Sequence, residues 1–179
     1  MSGEWTSEDV GYMERALLEA RVGASMGEVP VGAVLVRGGR VLATAHNLRE
    51  SAGDPTAHAE MLALRRGAAD VCGWRLDGAV MYVTLEPCPM CAGALWLARV
   101  SRLVYGAQDK KAGAAGTLYN VVADPRLNHR LQVEAGLLAN PSSVLLRDFF
   151  AALRAARREE ERDRKSGAGS MTRGVPGCW

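Results

Sequence analysis

The segment Ala79–Leu85 is nearly unbroken in apolar residues, with Thr84 as its one polar position. A run of this kind is typical of a strand that is buried on both faces. It ends in Glu86-Pro87, and residues 92–97 then indicate a helix. The segment therefore predicts a buried strand of a sheet that gives way directly to a helix.

Helices and strands alternate along the rest of the chain. Apolar residues recur at helical spacing in 8–25 and in 57–68, and the strands 31–36 and 41–45 flank the turn signal Gly38-Gly39 as a hairpin. Because a hairpin adds antiparallel pairing to this alternation, the predicted fold class is α/β, a three-layer α/β/α sandwich with a mixed five-stranded sheet. The remaining predicted elements are strands at 79–85, 103–105 and 131–134, and helices at 92–97 and 140–165.

Length and composition favour one domain at residues 1–165, followed by a disordered tail at 166–179 where Gly, Ser and Pro are frequent. The formal net charge of +2 neither requires nor excludes a nucleic-acid partner.

We see no signal peptide and no apolar run long enough to span a membrane. A Cys-x-x-Cys unit is typical of a reducing compartment, so we expect a cytoplasmic protein.

Two short motifs, thirty residues apart, carry the chemistry. His58-Ala59-Glu60 places an imidazole and a carboxylate close together, and Cys88 and Cys91 are spaced to share one side of a helical turn. One His and two Cys make three zinc ligands, which leaves the fourth tetrahedral position open, as in catalytic rather than structural sites. The pattern predicts a catalytic zinc centre at His58, Cys88 and Cys91.

Hydrolysis also needs a group that moves protons, and Glu60 is the candidate general acid/base rather than a ligand. Residues two apart in mid-helix point away from each other. We therefore expect His58 and Glu60 to lie in the irregular first turn of a helix. A structural zinc site would need a fourth ligand, for which the candidates are His46, His129, Cys72 and Cys178.

These motifs resemble the signature of the zinc-dependent nucleobase deaminases, His-x-Glu followed by Pro-Cys-x-x-Cys. Over roughly residues 8–158 the chain is similar to one branch of that family, the bacterial tRNA-specific adenosine deaminases. The matching stretches are Val29–Val34, Asn47, Asp54–Glu60, Tyr82–Cys88, Met90–Ala94, Asp109, Lys111, Gly113–Gly116, Leu127–Arg130 and Asp148–Phe150.

The resemblance implies a cytidine deaminase-like fold, one Zn²⁺ per subunit and a homodimer. It implies hydrolytic deamination of the wobble adenosine in a tRNA anticodon stem-loop, giving inosine and ammonia. It also implies that Glu60 shuttles protons, and that Glu86 acts through its backbone carbonyl more than its side chain. The residues it places at the substrate RNA are Asn47, Asp109, Lys111, Asn128, His129 and Phe149.

Several of these RNA contacts have a structural alternative. Asn47 could be a turn residue that closes a strand, Phe149 could pack in the core, and His129 could hydrogen bond within the protein.

Two other functions also remain open. A deaminase of the same fold could act on free guanine, cytosine or a nucleoside, although it would have little use for the loop 110–116 and for Asn128-His129-Arg130. A non-catalytic, zinc-stabilised RNA-binding module would have a dispensable Glu60 and a zinc held by four protein ligands.

Overall fold

The computed structural model describes residues 5–166 of the chain. The helices are α1 (Ser7–Ser25), α2 (Arg49–Ala52), α3 (Ala59–Asp70), α4 (Pro89–Leu97) and α5 (Ala139–Ser166). The strands are β1 (Gly32–Arg37), β2 (Arg40–His46), β3 (Ala79–Leu85), β4 (Arg102–Ala107) and β5 (Gln132–Ala135).

The five strands form one mixed sheet in the order β2-β1-β3-β4-β5. β1 pairs antiparallel with both β2 and β3, whereas β3–β4 and β4–β5 pair in parallel. The β1–β2 hairpin turns through Gly38 and Gly39, which both have positive φ, as the tight turn of a twisted hairpin requires. The predicted hairpin and the predicted mixed sheet are thus confirmed.

Helices cover both faces of the sheet, which makes three layers. α1 and α5 contact each other and one face, while α3 and α4 contact each other on the opposite side. Side chains of β3 alternate between two apolar clusters, with Met81 and Val83 in one and Tyr82 in the other. This alternation explains the continuous apolar run at 79–85, since both faces of the strand are buried.

A partly buried ionic network joins α1 to the strands β3, β4 and β5 at the end of the sheet where the parallel strands begin. Asp9 is only 4% exposed and accepts hydrogen bonds from Arg102 Nη1 at 2.7 Å and from the Tyr82 hydroxyl at 2.8 Å. Arg102 also donates from Nε to Glu134 Oε1 at 2.8 Å. The candidate site lies at the opposite end of the sheet, where β3 and β4 end, which is where open α/β sheets bind ligands.

The element boundaries agree with the sequence predictions to within a few residues, and β3 has the predicted limits. The short helix α2 is an addition that no apolar periodicity signalled, because it is a single turn with no buried residue. α5 runs to Ser166, while the rest of the predicted tail, 167–179, lies outside the described residues. No helix within residues 5–166 is both long and apolar enough to cross a membrane.

Candidate metal centre and active-site pocket

The two motifs begin two helices whose first turns face each other. His58 is the N-cap of α3, in extended conformation at φ −77° and ψ 151°, and Cys88 is the N-cap of α4 at φ −71° and ψ 170°. The sequence analysis placed His58 inside the first turn, but α3 begins one residue later, at Ala59. Because His58 is extended and Glu60 is helical, their two side chains can point towards the same site, which residues two apart inside a helix cannot do.

His58, Cys88 and Cys91 form a cluster whose ligand atoms all lie within 4.8 Å of one another. The distance from His58 Nδ1 to Cys88 Sγ is 3.7 Å, and the distance from Nδ1 to Cys91 Sγ is 3.5 Å. A tetrahedral zinc with ordinary bond lengths would separate a nitrogen and a sulfur ligand by about 3.6 Å. The three side chains therefore fit such an ion without rearrangement.

No fourth protein ligand joins this cluster among residues 5–166. His46 pairs with Glu19 at 2.8 Å, and His129 Nε2 contacts the backbone oxygen of Val100 at 2.8 Å. Cys72 is exposed, and Cys178 lies outside the described residues. A cluster with three protein ligands has room for a water or substrate atom at the fourth position.

Electrostatics at the cluster favour a thiolate on Cys88. Hydrogen bonds from the Cys91 thiol and from His58, together with the charge on His58, lower the pKa of Cys88 to about 4 despite its partial burial. The position of Cys88 at the start of α4 acts in the same direction, because a helix N-terminus stabilises negative charge. The hydrogen bond with Cys88 raises the pKa of His58. Binding of a divalent ion would displace the protons that remain.

The Glu60 carboxyl is buried beside this cluster and is incompletely paired. The residue is 3% exposed, and its Oε2 atom has no hydrogen-bond partner among the described residues. Burial raises the pKa of Glu60. Leaving a buried polar atom unpaired costs about 1–3 kcal/mol, so such atoms are rare in folded proteins.

Asn47 holds the start of α3 in place. Its Oδ1 atom accepts a hydrogen bond from the backbone N–H of Ala59 at 2.9 Å, and its own N–H donates to Val31 O at 3.2 Å. His58 makes no side-chain cap. Because Asn47 satisfies the first amide of α3 from the end of β2, the imidazole of His58 remains available as a ligand.

A single cavity of about 540 Å³ opens over the cluster, a size that suits a nucleoside. Apolar side chains form part of its wall, and Arg49, Lys110 and Lys111 bring positive charge to it. The residues that line it are Val29, Val31, Asn47, Arg49, His58, Glu60, Leu85, Glu86, Cys88, Gln108, Asp109, Lys110, Lys111, Ala112, Leu146 and Phe150.

The side chain of Glu86 is more important than the sequence analysis expected. It is 1% exposed and accepts hydrogen bonds from the backbone amides of Asp109, Ala115 and Thr117 at 3.1, 3.0 and 3.0 Å, and from the Thr117 hydroxyl. These donors lie 23–31 residues further along the chain. No local sequence signal announces pairing over that distance, although a carboxylate at the end of a buried strand was a hint.

The predicted RNA contacts divide into two groups. Asn47, Asp109 and Lys111 line the cavity. Asn128 and His129 do not, and they contact the segment that follows α4 instead: Asn128 Oδ1 accepts from Arg99 Nη1 at 2.9 Å, and His129 contacts Val100.

α5 contributes to the cavity with a residue that the sequence analysis did not single out. Phe150 and Leu146 line it, whereas Phe149 is half-buried against the edge of Phe150, with ring centroids 5.4 Å apart. Arg49, from α2, is a second cavity residue without a sequence signal, since the turn that carries it was not predicted.

Comparisons with known proteins agree on one enzyme class. A family model described as MafB19-like deaminase matches residues 7–154. The tRNA-specific adenosine deaminase of Bacillus subtilis (strain 168) is 48% identical over 148 residues, which are 83% of this chain and 92% of that protein.

Solved structures that resemble this chain are also deaminases. A chain from a study of A-to-I editing by tRNA:A34 deaminases at the wobble position is 45% identical, with a TM-score of 0.73, and the match covers 76% of this chain and 99% of that one. The guanine deaminase of Bacillus subtilis is 31% identical with a TM-score of 0.55, over 78% of this chain and 93% of that one.

Proposed function

This chain belongs to the tRNA-specific adenosine deaminases, and we propose that it converts the wobble adenosine of a tRNA anticodon to inosine. The reaction consumes one water and releases one ammonia, so the enzyme is a hydrolase acting on a C–N bond. One observation carries the mechanism: the buried Glu60 carboxyl keeps an unpaired oxygen next to the His58, Cys88 and Cys91 cluster.

The donor set and its spacing support zinc as the metal, with one ion per subunit. Thiolate and imidazole ligands favour zinc over harder ions, and three of them leave a position open. When bound, zinc acts as a Lewis acid that lowers the pKa of water towards neutrality.

Glu60 then moves the protons of the reaction. Its carboxylate accepts a proton from the attacking water as the new C–O bond forms at the ring carbon that bears the amine. It passes that proton to the adjacent ring nitrogen. It then takes the second proton of the same water from the new hydroxyl group, as the C=O bond forms, and delivers it to the exocyclic nitrogen as the C–N bond breaks and ammonia leaves. Burial suits this role, because a raised carboxyl pKa makes the proton easier to hold between steps.

The shape and charge of the cavity support a base presented by RNA. An adenosine in a single-stranded loop leaves its stack at low cost, and apolar walls such as Leu146 and Phe150 offer it new packing. Asn47, Asp109 and Lys111 lie where they could contact the nucleotide, and Arg49 and Lys110 suit neighbouring phosphates. Asn128, His129 and Phe149 remain proposed RNA contacts outside the cavity.

We further propose a homodimer and a cytoplasmic location. A shallow apolar surface between α3 and α4 supports the dimer, since Trp74 and Leu97 there are 62% and 61% exposed. The candidate metal ligands lie at the starts of these two helices, so a partner on this surface would pack against the elements that position the site. Thiolate ligands need a reducing compartment, which supports the cytoplasm.

A substrate panel tests the function. The purified zinc-loaded protein is incubated with an anticodon stem-loop carrying a wobble adenosine, with the same stem-loop carrying guanosine there, and with free adenosine, cytosine and guanine. We expect ammonia and inosine from the first RNA alone. Turnover of free guanine together with an inert stem-loop would instead identify a free-base deaminase, the activity of the more distant structural relative.

A further inference from the structure

The loop 108–117 carries four of the polar residues that line the cavity, yet it has no helix or strand of its own. The four are Gln108, Asp109, Lys110 and Lys111. We propose that Glu86 is the positioning residue that holds this loop in the shape that binds RNA. The proposal rests on the function given above and concerns the affinity of the same site, with Glu86 outside the chemical step.

The Glu86 carboxylate accepts four hydrogen bonds from the loop, two on each oxygen. Oε2 receives the Asp109 amide and the Thr117 hydroxyl, and Oε1 receives the amides of Ala115 and Thr117. The donors come from both ends of the loop, so one side chain holds it at both. No Lys, Arg or His side chain forms a salt bridge with Glu86 among residues 5–166, so the loop supplies its partners.

The loop is packed directly onto the carboxylate. A Cβ atom at Gly113 would lie 2.4 Å from Glu86 Oε2 and 2.5 Å from the backbone oxygen of Asp109, which leaves no room for a side chain. The support beneath is rigid, because the Glu86 amide donates to Ala107 O at 2.8 Å and Pro87 O accepts from the Ala114 amide at 2.9 Å. Glu86 therefore connects the ends of β3 and β4 to the loop.

The chemistry of the four donors requires a carboxylate at this position. Two carboxylate oxygens can accept all four hydrogen bonds, whereas a glutamine offers one oxygen and an amide group that is itself a donor. In Glu86→Gln, that NH₂ group would face N–H and O–H groups, and at least one pair of loop donors would lose its acceptor. The shape of the side chain is retained, so the change isolates hydrogen bonding from packing.

Loss of these bonds should act on substrate binding rather than on proton transfer. Glu60 and the metal ligands lie on α3 and at the start of α4, and none of them bonds to the loop. A loosened loop would have to be ordered again each time RNA binds, which raises KM without changing the bound complex.

The experiment compares Glu86→Gln with Asp9→Asn in the zinc-loaded protein. Asp9 is another buried, fully hydrogen-bonded carboxylate, but it lies at the opposite edge of the sheet. We expect Glu86→Gln to raise KM for the anticodon stem-loop by about 10- to 100-fold, the cost of one or two lost charge-assisted hydrogen bonds. Its kcat should stay within about threefold of the wild type. Asp9→Asn should lower the melting temperature and leave KM unchanged.

Hydrogen exchange gives a second readout that needs no substrate. The amides of Asp109, Ala115 and Thr117 should exchange at least about tenfold faster in Glu86→Gln, while amides of β3 and β4 keep their protection. This result would stand even if the stem-loop proved not to be the substrate, so it separates the two proposals. Gly113→Ala should reproduce both effects by pushing the loop off the carboxylate.

Two outcomes would overturn the proposal. Unchanged exchange of the three loop amides in Glu86→Gln would mean that the loop is held by other contacts. A fall in kcat with an unchanged KM and an unchanged zinc content would instead place Glu86 in the chemical step.

Discussion

Two glutamates reach the same cavity and are almost equally buried, yet their surroundings differ completely. Glu86 has both oxygens fully occupied by donors from the loop 108–117. Glu60 keeps one oxygen with no partner among residues 5–166. We therefore propose that Glu86 holds structure, whereas Glu60 keeps an unused acceptor beside the candidate metal ligands, where the proposed reaction moves a proton. Hydrogen-bond satisfaction, more than burial, distinguishes Glu86 from the carboxylate that we propose to be reactive.

The largest loss of activity should come from the region around Glu60, when one of the three candidate metal ligands beside it is removed. Cys88→Ala removes one of three ligands, so we expect zinc content to fall from one ion per subunit towards zero and turnover to fall to background. Metal analysis and the stem-loop assay measure the two quantities on one sample. A variant that keeps its activity without zinc would contradict a metal-dependent reaction.

Glu60→Gln should reduce kcat by about 10²- to 10⁴-fold, because the amide retains the shape but cannot accept and return a proton. Zinc content and RNA affinity should not change. Stability should be equal or slightly higher, since a poorly solvated acid is replaced by a neutral group. Activity that survives this substitution would remove the basis for contrasting the two glutamates and would favour a non-catalytic RNA-binding module.

Alanine substitutions should rank the two glutamates the other way round when stability, rather than activity, is measured: Glu86→Ala should destabilise the protein more than Glu60→Ala. Glu86→Ala leaves three loop amides and a hydroxyl without their acceptor, and we expect a loss of about 3 kcal/mol in the free energy of unfolding. Glu60→Ala removes an incompletely paired group and should cost less than about 1 kcal/mol beyond the lost packing. Denaturant titrations of both variants against the wild type test the ranking. Equal losses would show that partner count does not distinguish these sites.

Asp9 is a third buried carboxylate, hydrogen bonded on both oxygens like Glu86, and it should make the stability of the protein depend on pH in acid. Although burial raises it, hydrogen bonds from Arg102, Thr6 and Tyr82 hold the pKa of Asp9 well below its ordinary value of 3.8. Below pH 3.8 the unfolded chain therefore binds more protons at this position than the folded chain, and stability falls as the pH falls. The loss in the free energy of unfolding from this one group should reach about 2 kcal/mol at pH 2.

The matched variant for this effect is Asp9→Asn, which should be less stable than the wild type at neutral pH but should lose less on acidification. Unfolding free energies measured from pH 5 to pH 2 give the comparison. Parallel curves for the two proteins would mean that Asp9 does not titrate differently in the folded state.

The sequence predicted much of the site because its signals are local. The residues His58, Cys88 and Cys91 predict three metal ligands from their chemistry alone. The apolar run at 79–85 predicts that one strand is buried on both faces. The resemblance placed Phe149 at the RNA, whereas Phe150 lines the cavity. Adjacent helical residues point about 100° apart, and the rotation of α5 that decides between them depends on its packing. Asn47 was assigned to the substrate, and the sequence did not show that it also caps α3.

By itself, the sequence determined the α/β class and the order of the main elements, and it singled out His58, Cys88 and Cys91 as candidate metal ligands. Hydrophobic periodicity and motif residues are read directly from the chain. The tertiary structure alone decided which buried carboxylate is satisfied. The donors of Glu86 lie more than twenty residues away and converge on it only after β3 and β4 pair. Hydrogen bonding between distant segments is set by the fold, so the difference in hydrogen bonding between Glu60 and Glu86 became visible only there.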